Sequence, residues 1–352
     1  MIKLLIVDDS ETETLILKHI FQSAPDFEIV GYAKNGQEAL NQVRLLKPDI
    51  VTMDVHMPLM SGIEATRLIM SECPLPIVVI SSKLQDIELN ASFYALEAGA
   101  LSVLEKPVNI NSPHFESIKN NIISTIRNMA QIKVIKRRFT KKTLTKAHVP
   151  KVKPLNNYEL IAIGTSVGGP QALKMILSNL PDDFSLPIVI VQHMTLGFIE
   201  GFAKWLNNNI DLRVKIAEQG ELLNPGIVYF APDDFHLKVI RKDGQLIAHL
   251  VKGELVSGFR PSATELLKSV AEVCGESAIG ILLTGMGNDG AEGMLALKKA
   301  HGHTLIQDPE SAVVFGMPGV ALSLDAVDKI IELNRFASYL KNMASFHSAN
   351  VE

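Results

Sequence analysis

The sequence predicts an α/β protein of two domains, each a doubly wound, mainly parallel sheet with helices on both faces. Three observations predict it. Apolar runs of strand length alternate with helical stretches twice, from residue 2 to about residue 126 and again from Tyr158, as in parallel sheets covered on both faces. Between the two series, Arg127 to Pro154 holds ten Lys or Arg residues and no Asp or Glu, a composition shift that marks a connector. Residues able to do chemistry fall at the carboxyl ends of strands, where open α/β sheets bind their ligands. The expected division is residues 1–125, a basic linker over 126–157, and residues 158–345.

In the first series the expected strands are Lys3–Val7, Glu28–Ala33, Ile50–Met53, Ile77–Ile80 and Ser102–Glu105. Five βα units make a flavodoxin-like sheet. Asp8 and Asp9 close the first strand, Asp54 the third, Ser81 the fourth and Lys106 the fifth. Crowded carboxylates repel unless a cation offsets them, and carboxylates with waters are the ligands Mg²⁺ takes. Asp8, Asp9 and Asp54 therefore predict a Mg²⁺ site. Asp54 is then placed to attack a phosphoryl group as a carboxylate nucleophile, with the Lys106 ammonium neutralising the incoming charge. Lys106-Pro107 predicts a fixed turn, with a cis bond as one option. Singly, Asp8-Asp9 also fits a strand-end turn and Lys106 a solvated cation. Their coincidence at four strand ends favours a shared site.

The linker shows weak helical periodicity, then Pro150 and Pro154. Such a basic stretch suits nucleic acid, anionic lipid or an acidic partner, or else a solvated connector lying loosely on the acidic remainder. A connector is expected. No helix-turn-helix fits within it, and a net charge of −4 gives no global argument for nucleic acid.

The second series predicts strands Leu160–Ile163, Ile188–Gln192, Ile227–Phe230, Ala278–Leu283 and Thr304–Gln307. A hairpin of Leu237–Arg241 and Leu246–Val251, turned at Asp243-Gly244, interrupts them. At the end of its first strand stands Gly164-Thr165-Ser166-Val167-Gly168, a nucleophile-elbow pattern in which glycines allow a sharp turn that displays a serine beside helix N–H groups. Alone, the pattern favours a plain glycine-rich strand-to-helix turn or a degenerate phosphate loop. A serine needs a base within hydrogen-bond reach and an orienter behind that base. His193 ends the next strand, and Leu283 to Gly290 offers Asp289 after a third. His236, His249, His301 and His303 are rival bases, and Asp289 also fits a helix N-cap.

These residues carry two resemblances. Asp8-Asp9, Met53-Asp54, Met57-Pro58, Ser61-Gly62, Ser81 and Lys106-Pro107 resemble the response-regulator receiver domain over about residues 1–125. That resemblance implies phosphorylation of Asp54 by a histidine kinase with Mg²⁺, and Ser81 and Lys106 as switch residues. Ser61 and His56 stand where acidic residues are usual. Gly164 to Gly169, Gln192-His193-Met194, Arg260-Pro261-Ser262, Thr284 to Gly290 and Val314 to Pro318 are similar to the chemotaxis protein-glutamate methylesterase (CheB) family over about residues 158–333.

The second resemblance implies an α/β serine esterase that hydrolyses glutamyl methyl esters on chemoreceptors to glutamate and methanol, and that also deamidates receptor glutamines. It implies Ser166 as nucleophile, His193 as base, Asp289 as orienter and the Met286 backbone N–H as an oxyanion donor, with no cofactor for the esterase chemistry. It further implies a chemotaxis histidine kinase as phosphodonor, methyl-accepting chemoreceptors as substrate, and a receiver that occludes the serine until phosphorylated. Val167 replaces a hydroxyl residue of some members, Thr195-Leu196 stands where proline is frequent, and Phe259 where histidine is common. Arg260 fits either an acidic receptor helix or a structural salt bridge.

Other features narrow the class. Apolar residues make up 47% and charged residues 20%, and no apolar run approaches the roughly 20 residues of a membrane span. Cys73 and Cys274 form no CxxC or Cys/His cluster, so a zinc site is not expected. The expectation is a cytoplasmic protein without nucleic acid or membrane insertion. A signalling module that only binds, and a DNA-binding regulator using the basic tract, are the rival classes.

Overall fold

A computed structural model of the chain describes residues 1–81, 86–107, 115–132, 134 and 158–344. It divides into two units, Met1–Lys141 and Lys142–Glu352. Most of the expected basic linker lies outside the described residues. No helix among those described is long and apolar enough to cross a membrane.

The first unit runs β1 (Ile2–Val7), α1 (Glu11–Gln22), β2 (Phe27–Ala33), α2 (Gly36–Leu46), β3 (Ile50–Met53), α3 (Gly62–Glu72), β4 (Ile77–Ser81), α4 (Asp86–Ala98), β5 (Ser102–Glu105) and α5 (Phe115–Met129). Its five strands are parallel, in the order β2-β1-β3-β4-β5. This is the flavodoxin-like order, whose switch point lies between β1 and β3. The central strands are unbroken apolar runs because helices cover both faces; Leu4, Leu5, Ile6 and Val7 are all buried. Ser10, Asn35 and Ser61 cap α1, α2 and α3, each accepting a backbone N–H three residues on. Ser61 thus serves α3 in place of the usual acidic residue. Gly62 is required by space, since a Cβ there would lie 1.9 Å from the Asp54 carbonyl oxygen.

The second unit contains β6 (Leu160–Thr165), α6 (Gly169–Leu177), β7 (Ile188–Gln192), α7 (Ile199–Asn207), β8 (Arg213–Ile216), β9 (Ile227–Phe230), β10 (His236–Lys242), β11 (Gln245–Val251), α8 (Ala263–Val273), β12 (Ala278–Leu282), α9 (Ala291–Lys299), β13 (His303–Gln307), α10 (Met317–Ser323), β14 (Lys329–Ile331) and α11 (Phe336–Ala344). Seven strands form a parallel sheet ordered β14-β13-β12-β6-β7-β9-β8. Successive strands leave β6 in both directions, so a switch point lies between β6 and β12. The hairpin is β10 with β11, and positive φ at both Asp243 (51°) and Gly244 (80°) suits its two-residue turn. It is tied to α8 where the Ser269 hydroxyl accepts the Val239 N–H at 2.9 Å. The two edge strands, β8 and β14, were not expected from the sequence.

Candidate functional site

In the first unit the three aspartates meet at the β1/β3 switch point. One carboxylate oxygen from each of Asp8, Asp9 and Asp54 lies within 4.8 Å of the others, with Asp8 and Asp54 buried and Asp9 exposed. The Lys106 ammonium lies 3.0 Å from Asp54 Oδ1 and 3.3 Å from Asp8 Oδ2. It also pairs with Glu13, a residue that sequence reasoning missed. Ser81 is buried at the end of β4, and its carbonyl accepts the Lys106 N–H at 2.9 Å. The cis option for Lys106-Pro107 is not taken: among the described residues the cis bond is Arg260-Pro261.

Burial pushes the Asp8 carboxyl up, Lys106 opposes it, Asp54 adds to it, and the result is about 7. Asp54 is raised as well, by burial first, against the pull of Lys106. Burial works against the Lys106 ammonium, but Asp54, Glu13 and Asp8 outweigh it and hold its pKa above that of ordinary lysine. The site carries more negative charge than one lysine offsets. Oxygen donors that close, with an excess of negative charge, fit a hard divalent cation such as Mg²⁺.

In the second unit the three strand-end residues converge on the β6/β12 switch point. Ser166 follows β6, and its N–H donates to the Thr284 carbonyl at 3.1 Å, closing the turn onto the end of β12. Gly168, with φ of 78°, carries the chain into α6 through a conformation L side chains rarely adopt. Ser166 is 9% exposed, and no described residue hydrogen-bonds its hydroxyl. His193 follows β7, and its N–H donates to the Thr165 carbonyl at 2.9 Å. The Gln192 amide donates to the carbonyls of Ser166 (2.9 Å) and His193 (2.8 Å), bracing the two strand ends against each other.

His193 Nε2 stands 2.9 Å from Asp289 Oδ2, and neither buried ring nitrogen has a partner in hydrogen-bond geometry among the described residues. Asp289 is fully buried. Its Oδ1 accepts the Ser262 hydroxyl (2.6 Å) and the Thr264 N–H (3.1 Å), and its Oδ2 accepts the Ala263 N–H (2.7 Å). Asp289 therefore caps a helix and stands against an imidazole at once, and the helix is α8 rather than the one following it in sequence. Burial pushes this carboxyl up from 3.8, but His193, Ser262 and Thr264 outweigh it and hold it at about 2. The carboxylate is ionised at neutral pH. The stability it lends is present above about pH 4 and is lost as pH falls toward 2.

Of the rival bases, His236 is buried, its Nδ1 accepting the Ser262 N–H (3.2 Å) and its Nε2 facing the Glu254 carbonyl (2.8 Å), so it supports the loop before α8. His249 meets Gln219, and His303 meets Tyr339 and Asp328, away from Ser166. Arg260 bonds Asp234 and the Gly253 carbonyl, the structural one of its two expected roles. Met286 is 37% exposed, and its backbone N–H has no acceptor among the described residues. Sequence reasoning quoted Gln192, Ser262 and Thr284 within motifs and Phe259 as a departure from one, but gave none of them a part in this arrangement. Polar residues at apolar strand ends were the available signal for the first and third.

Fold and sites together define a response regulator whose second domain carries a hydrolase-like Ser, His and Asp constellation. The family model for the CheB methylesterase matches residues 161–340, and that for the response regulator receiver domain matches residues 4–114. The chain belongs to the CheB methylesterase family, in its form with a receiver domain. It is 42% identical over 349 residues to a protein-glutamate methylesterase/protein-glutamine glutaminase of Nitrosospira multiformis, covering 98% of each chain. A protein of the same description from Pyrococcus horikoshii is 38% identical, over 95% of this chain and 91% of the other. The crystal structure of the Thermotoga maritima CheB methylesterase catalytic domain aligns with a TM-score of 0.51 at 38% identity, covering 53% of this chain and 98% of that one.

Proposed function

We propose that the chain is a phosphorylation-activated esterase that hydrolyses glutamyl methyl esters on chemoreceptors and deamidates receptor glutamines, in the cytoplasm. The observation that carries the reading is the buried Asp289 carboxylate 2.9 Å from His193, whose strand end is braced to that of Ser166 by Gln192, with no described residue bonded to the serine hydroxyl. Because Nε2 faces Asp289, Nδ1 is the nitrogen free to act as base. As Ser166 Oγ bonds to the ester carbonyl carbon, its proton passes to His193 Nδ1 and the carbonyl oxygen becomes an oxyanion. The Met286 N–H donates to that oxyanion; losing one such donor typically costs about 10²–10³ in rate. The carbon–methoxy bond then breaks and His193 returns the proton, giving methanol. Water repeats the sequence on the acyl-serine and releases glutamate. With a glutamine substrate the leaving group is ammonia.

In the receiver, Asp54 takes the phosphoryl group from a chemotaxis histidine kinase, and the Lys106 ammonium pairs with a phosphoryl oxygen. Asp8, Asp9 and Asp54 hold Mg²⁺, which when bound neutralises charge on the phosphoryl group. Ser81 reports the modification. Asp54→Asn should abolish activation by acetyl phosphate while basal methanol release persists; activation retained in that variant would remove Asp54 from the account.

Two further outcomes follow from the charges around Lys106. Glu13→Gln removes a competing anion from the ammonium and should speed phosphorylation by acetyl phosphate by about fivefold. Phosphoprotein formation against time measures it. Asp8 has its folded pKa raised from 3.8 to about 7, so its contribution to metal-free stability is present below about pH 4 and is lost as pH rises through 7. Mg²⁺ needs the ionised form, so the melting temperature gained on adding Mg²⁺ should grow between about pH 6 and pH 8. A gain independent of pH would contradict this assignment.

A further inference from the structure

The Phe259 ring lies flat on the His193 imidazole, with centroids 3.8 Å apart and planes 7° from parallel. We propose that Phe259 is a positioning residue for the base, fixing the plane of the imidazole so that Nδ1 stays aligned with Ser166. This rests on the reading of Ser166, His193 and Asp289 given above.

Asp289 stands 2.9 Å from Nε2, and neither ring nitrogen has a partner in hydrogen-bond geometry among the described residues. A ring that meets a carboxylate at one atom and is hydrogen-bonded at neither can rock about that contact and swing its other nitrogen out of line. A parallel aromatic face in van der Waals contact removes that freedom. Small misplacements of a reacting group cost rate steeply. The face is also suited to the charge that develops, because the imidazolium formed when His193 takes the proton meets the negative face of the phenyl ring.

The phenyl ring is itself held. Phe259 and Val256 exchange backbone hydrogen bonds at 2.9 and 3.1 Å, and the next residue, Arg260, is bonded to Asp234 and to the Gly253 carbonyl at 2.5 Å. Three residues on, Ser262 bonds Asp289. One loop therefore fixes both the orienter of the base and the plane of the base. A side chain present only to touch substrate would not need to lie parallel to the imidazole.

The test uses the full chain as wild type, Phe259→Leu, Phe259→Tyr and Ser166→Ala. Leucine fills similar space without a flat face, and tyrosine restores the face. Each protein is treated with phenylmethylsulfonyl fluoride, which requires an activated serine but no receptor surface, and labelling is located by mass spectrometry. Hydrolysis of receptor methyl esters is measured in parallel to separate kcat from KM. Phe259→Leu should label about tenfold more slowly and lose kcat by about tenfold, with KM within about twofold of wild type. Phe259→Tyr should label within about threefold of wild type.

Wild-type labelling rates in a Phe259→Leu protein of unchanged melting temperature would overturn the proposal, as would Phe259→Tyr slowed as much as leucine. An increase in KM alone would make Phe259 a receptor contact and overturn it equally. Wild type unlabelled at Ser166, with Ser166→Ala still hydrolysing receptor esters, would bring down the reading of the site and this proposal with it.

Discussion

Ser166→Ala should lower kcat for receptor methyl esters by about 10⁶-fold while leaving the melting temperature unchanged. The size follows from the groups around the serine among the described residues: backbone groups, and the Thr165 and Thr284 hydroxyls, which are already bonded to the Thr284 and Val167 carbonyls. The stability expectation follows from the hydroxyl itself, which no described residue hydrogen-bonds. Removing it breaks nothing that folding made. Methanol release by protein of confirmed fold, compared with the wild-type melting curve, checks both halves together.

Asp289→Asn should lower kcat by about 10⁴-fold, because an amide facing Nε2 favours the tautomer that leaves Nδ1 protonated and unable to act as base. Unlike the serine change, this one should also destabilise the second unit. The Asp289 carboxylate accepts the Ser262 hydroxyl and the Ala263 and Thr264 N–H groups at the start of α8. Replacing one oxygen by NH₂ sets a donor against a donor in a fully buried place and removes a negative charge from a helix N-terminus. A loss of about 2 kcal/mol is expected. Denaturant unfolding measures it, and unchanged stability with lost activity would mean that the cap is weaker than its geometry implies.

Much of this was legible in the sequence because burial on both faces writes parallel strands as apolar runs. The five receiver strands were expected within a residue or so at each end. The hairpin turn at Asp243-Gly244 was legible because both positions need positive φ. Edge strands β8 and β14 were missed because they are only four and three residues long and partly exposed, so neither run length nor apolar character marks them. The convergence of Ser166, His193 and Asp289 was legible as three strand ends on one rim. Its details were not. That Asp289 caps α8 depends on the β12 turn meeting a helix 26 residues earlier in the chain, and no local pattern encodes such a meeting. Glu13 was hidden in the same way, since its partner Lys106 lies 93 residues away. Phe259 read as a departure from a family pattern, and its stack on His193 appears only once both loops are in place.

The central claim is that one chain joins a phosphate-accepting switch at Asp54 to an esterase at Ser166. Methanol release from methyl-esterified chemoreceptor membranes tests it most directly, measured with and without acetyl phosphate and Mg²⁺ for wild type, Asp54→Asn and Ser166→Ala. The account predicts release that rises with the phosphodonor in wild type, stays basal in Asp54→Asn and vanishes in Ser166→Ala. Folded wild-type protein that becomes phosphorylated on Asp54 yet releases no methanol in either state would contradict it.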